Sequence, residues 1–356
     1  MPAKTRISFI DCSRGLLYLL MSSTHALTLA NVASDSFLRS GWWLPRGWAF
    51  EGFITLSGFT AAAVYAWNGE KERTQRRLLQ RAWQILAVMF VSNVFFLLGR
   101  YLLTQELERV KNPSWWIGLV TLKTEYSISG ILLPTGILLL LTPLLFRADQ
   151  RWRLPRLAVG LLVFALFVRT LQYVLAGRVS GHHLLSVLLY TGAGGFPVLP
   201  FVSSGALGFV LGLAWKRSPA QLGLRTGSAI VLFFLALQAV RGLPLPPAAT
   251  GILYAFTVIA RFLLILLVGA IVMEWTVLGR LLAFLPLVGK YALFSFVAHR
   301  MVMQALALLS RRLLPPTPAE LLDSVYLVGT LGTITVLCAL REHFALFDHS
   351  LKKLYL

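Results

Sequence analysis

Long apolar runs recur along the whole 356-residue chain, and they restrict its fold more than any other feature. Hydrophobic residues make up 57% of the sequence and charged residues only 13%, with a mean hydropathy of +0.73. Soluble proteins carry about 25% charged residues. Runs of about twenty apolar residues can cross a bilayer as helices, which satisfy their own backbone hydrogen bonds. The sequence therefore predicts an all-α polytopic integral membrane protein.

About ten transmembrane helices around a central cavity fit the apolar pattern best. The whole chain, 1–356, forms a single transmembrane domain in this prediction. Both termini and the connections 68–77, 147–156, 216–225 and 274–280 are placed on the cytoplasmic side. The ten predicted spans are 7–30, 48–67, 78–102, 128–146, 157–175, 197–215, 226–240, 251–273, 285–309 and 321–340.

The chain is strongly basic, with 33 Lys and Arg against 14 Asp and Glu and a formal net charge of +19. Most of these basic residues fall on the side predicted to be cytoplasmic, which is the positive-inside bias of membrane proteins. This distribution sets orientation in the membrane lipid and does not call for a nucleic-acid partner. The sequence leaves open whether the chain forms a homo-oligomer.

The first span contains two ionisable residues, Arg14 and His25, whose spacing of eleven puts them on one helical face roughly 16 Å apart. Ionisable groups inside a membrane helix are costly and usually mark function. If Arg14 lies at the cytoplasmic interface, His25 lies near mid-bilayer, where neutral imidazole can act as a general base. Asp11 can pair with Arg14 on the helix surface. The alternatives are a structural ion pair and a His25 that only hydrogen-bonds between helices.

The second span carries Glu51 near its predicted outer end and Ser57-Gly58 roughly level with His25. Small residues at Ser57 and Gly58 let two helices approach closely. A carboxylate at Glu51 could orient sugar hydroxyls or His25 itself. The alternative is a Glu51 side chain that is simply exposed at the membrane interface.

An arginine row follows the second span, where Arg73, Arg77 and Arg81 recur every four residues and share one helical face. Arg76 lies among them. Guanidinium groups form bidentate hydrogen bonds with phosphate, so the row suits a nucleotide-bearing donor. The alternative is a basic loop that only sets topology.

The ninth span begins near Lys290 and contains His299, nine residues or about 14 Å further along a helix. His299 is therefore expected at the depth of His25, where it could frame the same cavity or serve a structural hydrogen bond. The roles of Arg169, Arg261 and Arg300, which also lie within predicted spans, stay open.

Several of these segments resemble the acyltransferase type 3 superfamily of multi-pass membrane proteins. Residues 10–15, IDCSRG, look like that family's opening "lDxxRG", and Arg14 with His25 matches its Arg–His motif. Residues 51–59, EGFITLSGF, are similar to "elFvflSGf" of the OpgC-like branch, which succinylates osmoregulated periplasmic glucans. The pair Arg73 and Arg76 falls where the family has its RxxR element, and the stretch from Gly289 to His299 resembles "GkxSyxxyxxH".

The resemblance implies an O-acyltransferase of the bacterial inner membrane. Such an enzyme moves a succinyl or acetyl group from cytoplasmic acyl-CoA to a hydroxyl of a periplasmic or extracellular glycan, and no metal is expected. The site expected from the resemblance and the residues has His25 as general base with Arg14 and Glu51 in the catalytic set, coenzyme A bound by Arg73, Arg76, Arg77, Arg81 and Lys290, and substrate bound by Asp11, Ser57 and His299.

Two other functions are compatible with the same features. A transporter or flippase for a glycan or lipid-linked precursor also needs intramembrane charges, at sites often built from broken helices in repeated halves. No paired half-structure is visible in this sequence. The other function is that of a catalytically inert relative acting as a partner subunit. Direct transfer and a transiently acylated His25 also remain alternatives.

Overall fold

The computed structural model describes most of the chain, including every candidate site residue named above. The connection residues 68–70 and 219–223 and both chain termini, on which parts of the topology prediction depend, lie outside the described residues. The described residues are 7–33, 35–37, 48–65, 71–104, 111–120, 131–175, 183–189, 197–218, 224–313, 315 and 317–344.

The described part of the chain contains helices and no strand, which confirms the all-α prediction. We label the helices in chain order. They are α1 (Ser8–Ala30), α2 (Ala49–Tyr65), α3 (Lys71–Thr104), α4 (Pro113–Val120), α5 (Leu132–Val174), α6 (His183–Leu189), α7 (Val198–Arg217), α8 (Leu224–Arg241), α9 (Pro247–Glu274), α10 (Thr276–Leu281), α11 (Phe284–Lys290), α12 (Ala292–Leu313) and α13 (Ala319–His343).

Six helices of the described chain are long and apolar enough to cross a membrane, in α3, α5, α7, α9, α12 and α13. The prediction of a polytopic membrane protein is consistent with them, whereas the number of ten spans is not confirmed. Helix α1 has the necessary length of 23 residues but carries Asp11, Arg14, His25 and several hydroxyl side chains. Helix α2 has 17 residues, just under the length of a typical span.

Helix α5 consists of two helical segments that meet at Arg153, whose φ of 63° and ψ of 155° are not helical. Pro155 explains the interruption, because it lacks an N–H donor and its ring clashes with the carbonyl four residues earlier. The predicted connection 147–156 contains this interruption. Its residues are helical apart from Arg153.

The predicted ninth span, 285–309, is also divided, because α11 ends at Lys290 and α12 begins at Ala292. Tyr291 lies between them with φ −108° and ψ 38°. The Val288 carbonyl accepts hydrogen bonds from the Tyr291 N–H at 3.2 Å and from the Ser295 hydroxyl at 3.1 Å. These bonds satisfy a carbonyl at the end of α11, where the helix ladder stops.

Two compact units make up the described chain. The first unit draws on Met1–Phe50, Val91–Pro113 and Val268–Leu356. Within it, α1 is the central helix and packs against α11, α12 and α13.

The second unit draws on Glu51–Phe90 and Ser114–Leu267. Its principal helix pair is α5 with α7, and α6 packs on both. Phe146 of α5 meets Phe209 of α7 edge to face, with ring centroids 4.9 Å apart.

Candidate functional site

Asp11 and Arg14 form the ion pair that their spacing predicts. The Arg14 Nη1 atom lies 2.9 Å from Asp11 Oδ1, and the side chains are 25% and 8% exposed respectively. The carboxylate is therefore buried beside a guanidinium that remains accessible. About a quarter of the Arg14 side-chain surface is exposed at this ion pair.

Glycine residues fix the position of this ion pair in the first unit. A Cβ atom on Gly289 of α11 would overlap the Asp11 carbonyl, and one on Gly15 of α1 would overlap the Leu285 carbonyl. The two helices consequently touch backbone to backbone at the level of Asp11 and Arg14. Small residues allow such close crossings between membrane helices.

His25 and His299 come together, as their predicted depths suggested. Their imidazole rings stack with centroids 5.4 Å apart and planes inclined by 25°. His25 is 9% exposed and His299 is fully buried. Phe50 lies edge-on to His25, and Tyr18 lies edge-on to His299 with centroids 5.7 Å apart. The pair therefore has a largely aromatic surrounding within the first unit.

The hydrogen bonding of His299 determines its tautomer. Its Nδ1 lies 3.2 Å from the Ser295 carbonyl oxygen, which can only accept, so Nδ1 carries the proton. The other nitrogen, Nε2, is buried and has no hydrogen-bond partner among the described residues. In a neutral ring this nitrogen bears a lone pair, so it can accept a hydrogen bond from a hydroxyl group.

Lys290 lies at the end of α11, where it pairs with Glu342 of α13 and lies 5.3 Å from the Tyr291 ring centroid. Its side chain is 28% exposed. The prediction that Lys290 binds the donor would require a phosphate group to share or replace the Glu342 carboxylate.

Glu51 belongs to a buried polar network in the second unit. Its carboxylate forms an ion pair with Arg169 of α5. The same guanidinium donates to the Ser204 hydroxyl at 2.9 Å and to the Pro200 carbonyl at 3.2 Å. Glu51 is 7% exposed, so the interpretation as an interface-exposed carboxylate is wrong.

Arg169 is the central residue of this network, and its role could not be chosen from the sequence. It is 2% exposed, and its guanidinium carbon lies 5.0 Å above the ring of Tyr254 in α9. The guanidinium of Arg261 lies 6.0 Å from the same ring. An arginine buried in an apolar span requires a counter-charge. The scarcity of acidic residues within the predicted spans was the signal that could have identified Glu51 as its partner.

Ser57 and Gly58 lie on the part of α2 that packs in the second unit. A Cβ on Gly58 would overlap the Gly205 carbonyl of α7, which confirms that small residues here permit a close helix contact. The Ser57 hydroxyl donates to the Phe53 carbonyl of its own helix at 2.8 Å. Binding of a substrate by Ser57 would use its remaining lone pair or replace this bond.

The arginine row lies on the first turns of α3, so the segment from Lys71 onward is helix and not the predicted loop. Arg73, Arg76 and Arg77 are exposed, whereas Arg81 is partly buried and donates to Gln84 at 3.3 Å. A surface cavity of about 540 Å³ is lined by Arg76 together with Glu72, Gln75, Leu79 and Gln80. Arg76 is therefore the arginine of the row that lines this cavity.

Among the described residues, no three His, Cys, Asp or Glu side chains form a group that could bind a metal ion. Cys12 and Cys338 are both buried as free thiols.

No family model matches the sequence, and no curated protein sequence matches it.

Proposed function

We propose that this chain is a transmembrane O-acyltransferase that moves an acyl group from cytoplasmic acyl-CoA to a hydroxyl of a periplasmic or extracellular glycan. The observation that carries the proposal is the buried stack of His25 on His299. His25 lies on α1, the helix that also carries the Asp11–Arg14 pair. A titratable pair inside an apolar helical protein is costly to maintain and is typical of proton-transfer chemistry. The resemblance of the segments around Arg14 and His25 to type 3 acyltransferases points to the same reaction.

In this reaction His25 acts as the general base. It takes the proton of the acceptor hydroxyl while the hydroxyl oxygen attacks the thioester carbonyl carbon. The new C–O bond forms, the C–S bond breaks, and the proton passes from the imidazolium to the departing thiolate of coenzyme A. Neutral His299 can accept a hydrogen bond at Nε2, which would hold a second hydroxyl of the glycan beside His25.

Donor binding in this proposal uses the exposed guanidinium groups at the start of α3. Arg73, Arg76 and Arg77 suit the phosphates of coenzyme A, because arginine binds phosphate through paired hydrogen bonds. Arg14, partly exposed beside Asp11, would contact the pantetheine arm or the acyl group. The donor is succinyl-CoA or acetyl-CoA, and the protein resides in the bacterial inner membrane with both termini in the cytoplasm.

Glu51 enters the proposal as a positioning residue. Its carboxylate is already bound to Arg169, and Arg169 in turn binds α7 through Ser204 and the Pro200 carbonyl. The ion pair therefore joins α2, α5 and α7. Loss of Glu51 should alter activity through the packing of these helices.

Transport of a glycan or lipid-linked precursor is the second candidate function. The observation in its favour is the break at Tyr291 between α11 and α12, because transporters often build substrate sites at interrupted helices. The two candidates differ in one requirement. Transport needs no acyl donor, whereas acyl transfer consumes one.

The test is acyl transfer by the purified protein in lipid, with labelled succinyl-CoA or acetyl-CoA and a glucan acceptor. We expect His25→Gln to lower turnover by about 10²- to 10⁴-fold, the usual contribution of a general base. Thr28→Ala is the matched control, because the Thr28 hydroxyl is exposed on the same helix and donates to the Thr24 carbonyl of that helix. The control should keep wild-type turnover.

Two outcomes would contradict the proposal. Turnover by His25→Gln at the wild-type rate would show that His25 is not the general base. Movement of glycan across proteoliposomes without any acyl-CoA, with no acyl group found on the product by mass spectrometry, would favour the transporter.

A further inference from the structure

Arg169 and Arg300, two of the arginines within the membrane-spanning helices, have contrasting surroundings. Arg169 in the second unit has the Glu51 carboxylate as its counter-charge. Arg300 in the first unit follows His299 on α12, and no acidic side chain of the described chain forms an ion pair with it. Its guanidinium carbon lies 5.1 Å above the Phe96 ring of α3. A cation–π contact stabilises a charge only partly, so the described residues leave Arg300 without an acidic counter-charge.

Two buried hydrogen-bond donors, one on α12 and one on α3, have no acceptor among the described residues. The Arg300 Nε atom is buried and has no partner among the described residues. The same is true of Nδ2 of Asn93, a residue of α3 that is 4% exposed. A buried donor without an acceptor is costly in free energy, so unpaired donors of this kind are typical of a site that binds a further group.

The packing of α3 on α12 places Asn93 about one helical turn before the level of Arg300. Phe96 contacts Arg300, and one turn later a Cβ on Gly99 would overlap the Gln304 side chain. Residue numbers increase in the same direction on both helices from the first contact to the second, so α3 and α12 run parallel here. Asn93, one turn before Phe96 on the same face, is therefore level with the turn of α12 that leads into His299 and Arg300.

We propose that Arg300 and Asn93, beside the stacked His25 and His299, form a binding site for a carboxylate group carried by a substrate. A carboxylate has the charge that Arg300 lacks and the acceptor oxygens that both buried donors need. The inference rests on the proposed function only in placing this group next to the reacting centre. Either the terminal carboxylate of a dicarboxylic acyl donor or a carboxylate of an acidic glycan could occupy the site.

The first test measures binding without any catalysis, so it can fail or succeed independently of the acyltransferase proposal. Succinate should raise the midpoint of thermal unfolding of the purified protein in lipid, and butyramide at the same concentration should not. Arg300→Gln should weaken succinate binding by more than about tenfold, since hydrogen bonds to charged groups contribute at least that factor. Asn93→Leu should weaken it by a smaller factor because it removes a neutral donor.

Two further variants serve as controls. Arg312→Gln removes one exposed positive charge from the same helix and should bind succinate as the wild type does. Arg300→Lys keeps the charge without the planar guanidinium and should bind with intermediate affinity. If Arg300→Gln does not fold, the comparison of succinate with butyramide on the wild type still decides the proposal.

Competition experiments identify the source of the carboxylate. Tighter binding of succinyl-CoA than of acetyl-CoA, lost in Arg300→Gln, assigns the site to the donor, whereas discrimination of glucuronate from glucose assigns it to the acceptor. Equal effects of succinate and butyramide, equal succinate binding by wild type and Arg300→Gln, or stronger stabilisation by inorganic phosphate than by succinate would each overturn the carboxylate site.

Discussion

His25 and His299 lie on different helices and stack with ring centroids 5.4 Å apart. The Ser295 carbonyl fixes the proton of His299 on Nδ1, so the nitrogen that remains available is the buried Nε2. The hydrogen bond within α12 therefore fixes the orientation of the His299 ring, and His25 of α1 stacks on that ring. Such pre-organisation is what a reaction centre requires, because little reorganisation is then needed during proton transfer.

The role of His299 can be separated from its structural hydrogen bond. His299→Asn keeps an amide donor near the position of Nδ1 but lacks Nε2. We expect this variant to fold and to reduce turnover by about 10²-fold, or to raise the KM for the glycan, because the acceptor nitrogen is lost. His299→Gln is the complementary variant, since its longer amide can return an acceptor toward the Nε2 position. Wild-type kinetics in His299→Asn would show that Nε2 has no part in the reaction.

The glycine contact between α1 and α11 should govern the stability of the first unit. Gly289→Ala places a methyl group against the Asp11 carbonyl, and overpacking of this kind costs about 1–3 kcal/mol or more. We expect a clearly lower midpoint of thermal unfolding. Gly332→Ala on α13 is the control, because nothing lies within 4 Å of its added Cβ. An equal effect of both substitutions would contradict the close contact.

The Glu51–Arg169 pair should behave as a buried ion pair. Glu51→Gln or Arg169→Met alone leaves one buried charge without its partner and should cost about 3–5 kcal/mol of unfolding free energy. The double variant should lose less than the sum of the two. The Lys290–Glu342 pair is more exposed, so Glu342→Gln should cost at most about 1 kcal/mol of unfolding free energy.

Activity distinguishes the two roles of Glu51. If the carboxylate only positions helices, the double variant Glu51→Gln/Arg169→Met should recover most of the turnover that Glu51→Gln loses. A double variant as inactive as the single one, but normally stable, would instead assign Glu51 to the reaction itself.

The arginines of α3 should recognise the phosphates of the donor. Arg73→Gln and Arg76→Gln should each weaken coenzyme A binding by about tenfold, the effect of losing one charge-assisted hydrogen bond. The difference in affinity between coenzyme A and dephospho-coenzyme A should shrink in the variant whose arginine contacts the 3′-phosphate. Arg156→Gln removes an exposed charge from α5 and serves as the control. Unchanged affinity in both α3 variants would exclude this face as the donor site.

Features set by local spacing were predictable from the sequence. Asp11 and Arg14 pair because residues three apart meet on a helix surface. Gly58 permits close approach because it has no side chain. Counting residues along the predicted spans suggested that His25 and His299 lie level with each other, although their stacking required the fold.

Breaks in helices and distant partners were not predictable in the same way. The apolar pattern continues through Tyr291, so it does not reveal that α11 ends there. The charged segment 147–156 looked like a connection, yet charged residues also form good helices, and only Pro155 marked the interruption at Arg153. Glu51 and Arg169 lie far apart in the sequence, and no local periodicity joins them.

The glycine crossing restricts how this sequence can vary. Any residue larger than glycine at position 15 or 289 would push α1 away from α11 and displace the ion pair of Asp11 with Arg14. The two positions, together with the Arg14-to-His25 spacing, therefore define a pattern by which remote homologues could be recognised even where the apolar background has diverged.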